Sequence, residues 1–159
     1  MNIGNIGKHK VLMILALGAL AVAFSFFYRM YHDDINALTN FVASYERFDK
    51  AMSDFSISKT DDTESEASVA LSELNIKAAF RISSLIKNEK ELMAQAREVA
   101  DISGRELDTL KAYKAVVRSK NVDMNALAKE YGDLTSARKA AYANFWQLGP
   151  AGDKGLVKN

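Results

Sequence analysis

The chain is predicted to be all-α, with one N-terminal transmembrane helix running without a break into an extramembrane antiparallel four-helix bundle. Two observations carry this prediction. Eighteen consecutive positions, Val11 to Tyr28, hold no charge and are bracketed by Lys8 and Lys10 before and Arg29 after. Beyond them, apolar residues recur at alternating spacings of three and four as far as Leu148, which is the period of a helix seam.

The apolar run comes first. As a helix it rises about 27 Å, close to the hydrocarbon thickness of a bilayer. Its sequence, VLMILALGALAVAFSFFY, has only Ser25 as a conventional polar residue before Tyr28. That hydroxyl is expected to bond back to the preceding turn. A soluble domain of this size seldom buries a helix that is apolar all round. A cleaved signal peptide competes with this reading, because Lys8 and Lys10 form a positive n-region and Ala21-Val22-Ala23 is a small-x-small site. The apolar run continues through Phe24-Ser25-Phe26-Phe27-Tyr28, where a mature N-terminus would turn polar, and this favours a retained anchor.

Lys8 and Lys10, opposed by Arg29 alone, place the N-terminus on the cytoplasmic side. The organisation expected is a cytoplasmic tail over 1–10, a transmembrane helix over 11–28, an extracytoplasmic bundle over 29–148 and a flexible tail over 149–159. A bacterial inner membrane and periplasm is the simplest setting. The extramembrane part has the length of one ordinary domain.

After the span, Tyr31, Ile35, Leu38, Val42, Tyr45, Phe48 or Asp49, Met52 and Phe55 form a seam. No glycine or proline separates them from the anchor, so span and first bundle helix should be one rod. Ile57 to Glu66 reads as a turn closed by a Thr63-x-x-Glu66 capping box. Helical spacing resumes with Leu71, Leu74, Ala78, Ile82 and Leu85, and continues through Leu92, Ala96, Val99, Leu107, Leu110 and Val117.

Unbroken, residues 64–118 would make a helix of roughly 80 Å against about 40 Å for the helix it must pack on. A break is therefore required. Asn88-Glu89-Lys90-Glu91 offers one cap, and Ser103-Gly104-Arg105-Glu106 another with an Ile102–Leu107 staple. The break near Asn88 gives helices of matching length and is preferred. Ser119 to Val122 forms the next turn, with Asp123 as cap. Met124, Leu127, Tyr131, Leu134, Ala141, Phe145 and Leu148 then line the last helix, which Gly149-Pro150 ends.

The candidate functional residues are those that would meet the bilayer. Phe26, Phe27, Tyr28, Tyr31 and Trp146 are expected at the membrane interface, where amphipathic rings sit at headgroup level. Gly18, Ala19 and Ala23 form a small-residue stripe of the kind that lets membrane helices approach closely.

Reactive chemistry is not indicated. Lysine plus arginine number 21 against 20 acidic residues, with both signs interspersed, and no basic stripe exists to follow a nucleic-acid backbone. Cysteine is absent, which removes disulfides, thiolate metal sites and iron–sulfur clusters. His32 beside Asp33 and Asp34 is too small a set for a metal site. No catalytic residue, cofactor site or metal ligand is assigned.

The function expected is a non-enzymatic single-pass membrane protein, an accessory subunit or scaffold of an envelope complex. Its partners are the bilayer and either other envelope proteins or further copies of itself. Two alternatives stand beside it. Membrane-attached four-helix bundles resemble the ligand-binding domains of bacterial chemoreceptors in architecture, which implies sensing, although this sequence has a single apolar span. A phage-like lysis or envelope-bridging protein would also pair an N-terminal anchor with helical segments.

Overall fold

The computed structural model describes residues 3–149 except Leu85, Lys87 and 118–123. Four helices make up the described chain: α1 (Ile3–Ser58), α2 (Asp61–Ala78), α3 (Glu89–Val117) and α4 (Met124–Leu148). Among the described residues there is no strand. The helices run up, down, up and down. Each packs on the next in sequence, most extensively α3 on α4 and α1 on α2.

The rod is continuous. α1 extends over 56 residues, or about 84 Å, and passes from the apolar run into the bundle without a bend residue. Its buried seam is Leu38, Phe41, Tyr45, Phe48, Met52 and Phe55, with Asp34 one step below. The lower part of this seam is rotated from the one expected. Phe41 is fully buried and Val42 half-buried, while Tyr31 is exposed. A strict seven-residue repeat through Asp34, Leu38, Phe41 and Tyr45 puts the large ring inward and lets a carboxylate share the seam.

α1 ends on Lys59, whose φ of 51° is a left-handed turn, with its N–H bonded to the Phe55 carbonyl at 2.9 Å. Thr60 then caps α2, accepting the Thr63 N–H on its hydroxyl at 3.3 Å. The expected Thr63–Glu66 cap is thus displaced by three residues. Asp61, Asp62 and Glu64 crowd the first turn, where carboxylates complement the helix dipole, so helix begins inside the stretch expected to be a turn.

α2 buries Ala67, Ala70, Leu74 and Ala78. Small side chains let it lie close against α1, whose rings occupy the centre. It stops at Ala78, earlier than the spacing suggests, so the helices are not of matching length. The described residues between Ala79 and Asn88 are instead outside any helix. Phe80 meets Phe41 edge-on at 5.9 Å, Ile82 is buried, and Ser83 is held by Asp34 of α1. Leu85, expected on the seam, lies outside the described residues.

The break near Asn88 is observed. Asn88 has φ 60°, and its carbonyl accepts the Leu92 N–H at 2.9 Å as α3 begins. The alternative break is absent, for α3 runs through Ser103-Gly104 and the Ser103 hydroxyl bonds back to the Val99 carbonyl at 2.7 Å. Val117 is exposed, and Lys114 takes the inward position near the end of α3. α4 ends at Leu148, with the Gly149 N–H on the Phe145 carbonyl at 3.2 Å. A Cβ at Gly149 would lie 2.6 Å from a methyl of Leu92, so glycine allows the two helix ends to close. The expected turn at Ser119 to Val122, the Asp123 cap and the tail from Pro150 onward lie outside the described residues.

Candidate functional site

From Leu15 to Arg29 every side chain of α1 is exposed, Phe24 to 74% and Phe26 to 61%. By length and composition this helix is able to cross a membrane, and none of its most apolar window is buried inside the molecule. A core helix hides one stripe, whereas this one shows apolar surface on all sides. The Ser25 hydroxyl donates to the Ala21 carbonyl at 2.9 Å, which satisfies the only conventional polar side chain in the run before Tyr28. Tyr28 and His32 pair through Tyr Oη and Nε2 at 3.1 Å. Gly18, Ala19 and Ala23 lie on this bare stem, and a Cβ added to Gly18 would meet nothing within 4 Å.

Phe26, Phe27, Tyr28 and Tyr31 therefore cluster near the upper end of the exposed stem. Trp146 does not join them. It packs edge-on to Tyr142 at 6.1 Å, next to Phe145, whose ring lies 4.7 Å from Phe41. Phe41 is ten residues, or about 15 Å, up α1 from Tyr31. α4 ends before it can bring its aromatics lower.

Inside the bundle, three polar groups interrupt the apolar seam at different heights. At the foot, Ser83 donates its backbone N–H to Asp34 Oδ1 at 2.9 Å and its hydroxyl to Oδ2 at 2.5 Å. At the tip, Lys114 donates to Asp61 Oδ1 at 2.5 Å and Glu64 Oε2 at 2.7 Å, with its ammonium 5.6 Å from the centre of the Phe55 ring. In the middle, Arg138 is 2% exposed and Glu106 fully buried.

The middle group joins three helices. Arg138 donates Nε–H to Glu106 Oε2 at 2.5 Å, one terminal nitrogen to Tyr45 Oη at 3.0 Å and the other to Asp49 Oδ1 at 2.7 Å. Glu106 Oε1 accepts the Thr135 hydroxyl at 2.6 Å. The Tyr45 ring stacks on Tyr142 at 3.5 Å. Among the described residues no Cα of α1 comes within 8 Å of α4. The gap between them is filled by these rings and the guanidinium. Arg138 and Glu106 are enclosed and paired with each other while Asp49 reaches the surface, and the group braces three helices.

Burial works against the Arg138 charge, and Glu106, Tyr45 and Asp49 outweigh it, holding the guanidinium above its ordinary value. Burial pushes Tyr45 up to about 12, against the pull of Arg138. Burial likewise raises Tyr131 and Tyr142. The hydrogen bonds to Asp61 and then Glu64 raise Lys114.

These shifts share one consequence. The unfolded chain gives up tyrosine and lysine protons at lower pH than the fold, so deprotonation favours unfolding. The tyrosine contribution to stability should be constant up to about pH 10, the ordinary tyrosine value, and be lost through about 12, where Tyr45 titrates. Circular dichroism melts across that range test this, and Tyr45→Phe should give a shallower alkaline decline. An unchanged decline would remove Tyr45 as a cause.

No protein family, curated protein or solved structure matches the chain. Its function has to be argued from its own surfaces. The groove between α3 and α4, floored by Ile102, Leu134 and Ala137 and rimmed by Arg105, Lys129 and Asp133, is open to solvent and lacks the enclosure of a small-molecule site. The exposed apolar stem is the largest feature left without a partner inside the molecule. The buried ion cluster was missed by sequence reading, although skipped seam positions at 106, 114 and 138 marked where it lies.

Proposed function

We propose that this chain is a non-enzymatic single-pass membrane protein, with residues 11–28 crossing the bilayer and the bundle over 29–148 held outside the cytoplasm. It serves as an accessory subunit or scaffold of an envelope membrane complex. The observation that carries this reading is the stem, a helix apolar on every side whose side chains from Leu15 to Arg29 are all exposed. In water such a surface costs about 25 cal/mol for each Å² left uncovered, and a bilayer removes that cost without any further element. The buried Arg138 group, which ties α1, α3 and α4 together, supports a scaffold role.

Two measurements test the proposal. In intact cells, a Ser58→Cys variant should react with a membrane-impermeant maleimide, and protection from label would overturn the topology. Purification from mild detergent at native expression should recover a stoichiometric partner or a homo-oligomer. A clean monomer would count against the scaffold role.

A further inference from the structure

We infer that the described residues of the non-helical segment between Ala78 and Glu89 form the foot of the bundle and rest on the outer edge of the phospholipid headgroup layer of the bilayer crossed by α1, so that no stalk separates bundle from membrane. This inference rests on the membrane reading above.

The first observation is where cover begins on α1. Every side chain from Leu15 to Arg29 is exposed, and Met30 is the first to be partly covered. Met30 is two residues, or about 3 Å, past Tyr28. The headgroup layer on each side of a bilayer is about 5–7 Å deep, so the first partial cover on α1 falls within it and the buried seam begins at Asp34, near its outer edge. The second observation is what reaches that low. α4 ends at the level of Leu92 on α3, and its Phe145 stands opposite Phe41. Ser83 is instead bonded twice to Asp34, six residues or about 9 Å beyond Tyr28. Ser83 is thus tied to the stem by hydrogen bonds just past the outer edge of the headgroup layer.

The chemistry of this foot suits zwitterionic headgroups. Arg29 on the stem, Arg81 on the segment and Lys90 at the start of α3 are exposed, as are Asp33 and Glu91. Basic side chains can meet lipid phosphates while the carboxylates meet lipid amines, and the long basic stems bend toward the interface. Phe80 and Ile82 face inward, so the contact is polar and shallow, without insertion into the hydrocarbon.

The chain has no native cysteine, so single cysteines can carry an environment-sensitive fluorophore. Full-length protein bearing Phe24→Cys, Ser84→Cys or Ile57→Cys is reconstituted in phosphatidylethanolamine–phosphatidylcholine vesicles. The vesicles contain lipids with nitroxide quenchers either on the headgroup or along the acyl chain. The Ser84 label should lose most of its emission to the headgroup quencher, the Phe24 label to the acyl-chain quencher, and the Ile57 label at the tip to neither. If the Phe24 label escapes both quenchers, the membrane reading fails. If the Phe24 label is quenched and the Ser84 label is not, the membrane reading stands and the foot does not.

Discussion

Replacing Glu106 by leucine is expected to destabilise the bundle by about 3–5 kcal/mol, the cost of leaving one member of a buried ion pair without its partner. Arg138 is nearly enclosed, and its shortest bond is to Glu106. Asp49 and Tyr45 would remain on the guanidinium, but Asp49 is half-exposed and Tyr45 is neutral. Arg138→Met should cost a similar amount, because the Glu106 carboxylate would keep only the Thr135 hydroxyl.

The two changes should be far from additive. With Glu106→Leu and Arg138→Met together, no charge is left stranded and the seam becomes apolar, a replacement that is often neutral or stabilising. A residual loss of about 1–3 kcal/mol is expected because Tyr45 Oη loses its donor in a buried setting. Urea unfolding of the full chain in detergent, followed by circular dichroism, gives the four corners of the cycle. A single-variant loss below about 1 kcal/mol would mean that water reaches the pair and that its burial does not govern its energy.

The same cluster shows where sequence reading stops. Seam spacing identifies Leu134, Ala141 and Phe145 on α4, and all three are buried. Position 138 falls on the same seven-residue repeat, but an arginine there is indistinguishable from a solvated residue until its partners are known. Those partners are 32 and 89 residues away in sequence, a distance that no local period reports. Lys114 is the same case, its acceptors standing on the α2 N-terminus 53 and 50 residues earlier.

The continuous α1 and the break at Asn88 were legible because each has a local signal. In one case no glycine or proline lies between the span and the Leu38–Phe55 seam, and in the other there is the Asn88-Glu89-Lys90-Glu91 cap. The matching helix lengths that favoured that break are not found. The early end of α2 was not legible. After Ala78 the Ser83 backbone N–H and hydroxyl go to Asp34 of α1, a tertiary contact 49 residues away in sequence that no local spacing reports. The aromatics expected at the membrane interface divide in the same way. Phe26, Phe27, Tyr28 and Tyr31 follow one another along one helix, whereas the height of Trp146 depends on where α4 stops.

The second large effect is expected on the stem. Leu17 and Leu20 are 58% and 66% exposed and one turn apart, near the middle of the apolar run. Changing both to arginine places two charges at the centre of the proposed span. At about 2.5–3.5 kcal/mol each on the insertion scale, the combined penalty is roughly 5–7 kcal/mol. Such a penalty should shift the protein out of the membrane fraction in flotation and alkaline-carbonate extraction.

The bundle itself should be indifferent to the change. No side chain from Leu15 to Arg29 is buried, and the buried α1 seam begins only at Asp34. The double variant in detergent should therefore melt at the wild-type temperature. That separation distinguishes the two roles a long apolar helix can have. If the stem instead packed into a protein core, charges at 17 and 20 would lower the melting temperature sharply. If it were an ordinary soluble helix, they would change neither property. Loss of membrane association with an unchanged melt is the outcome that assigns the stem to lipid.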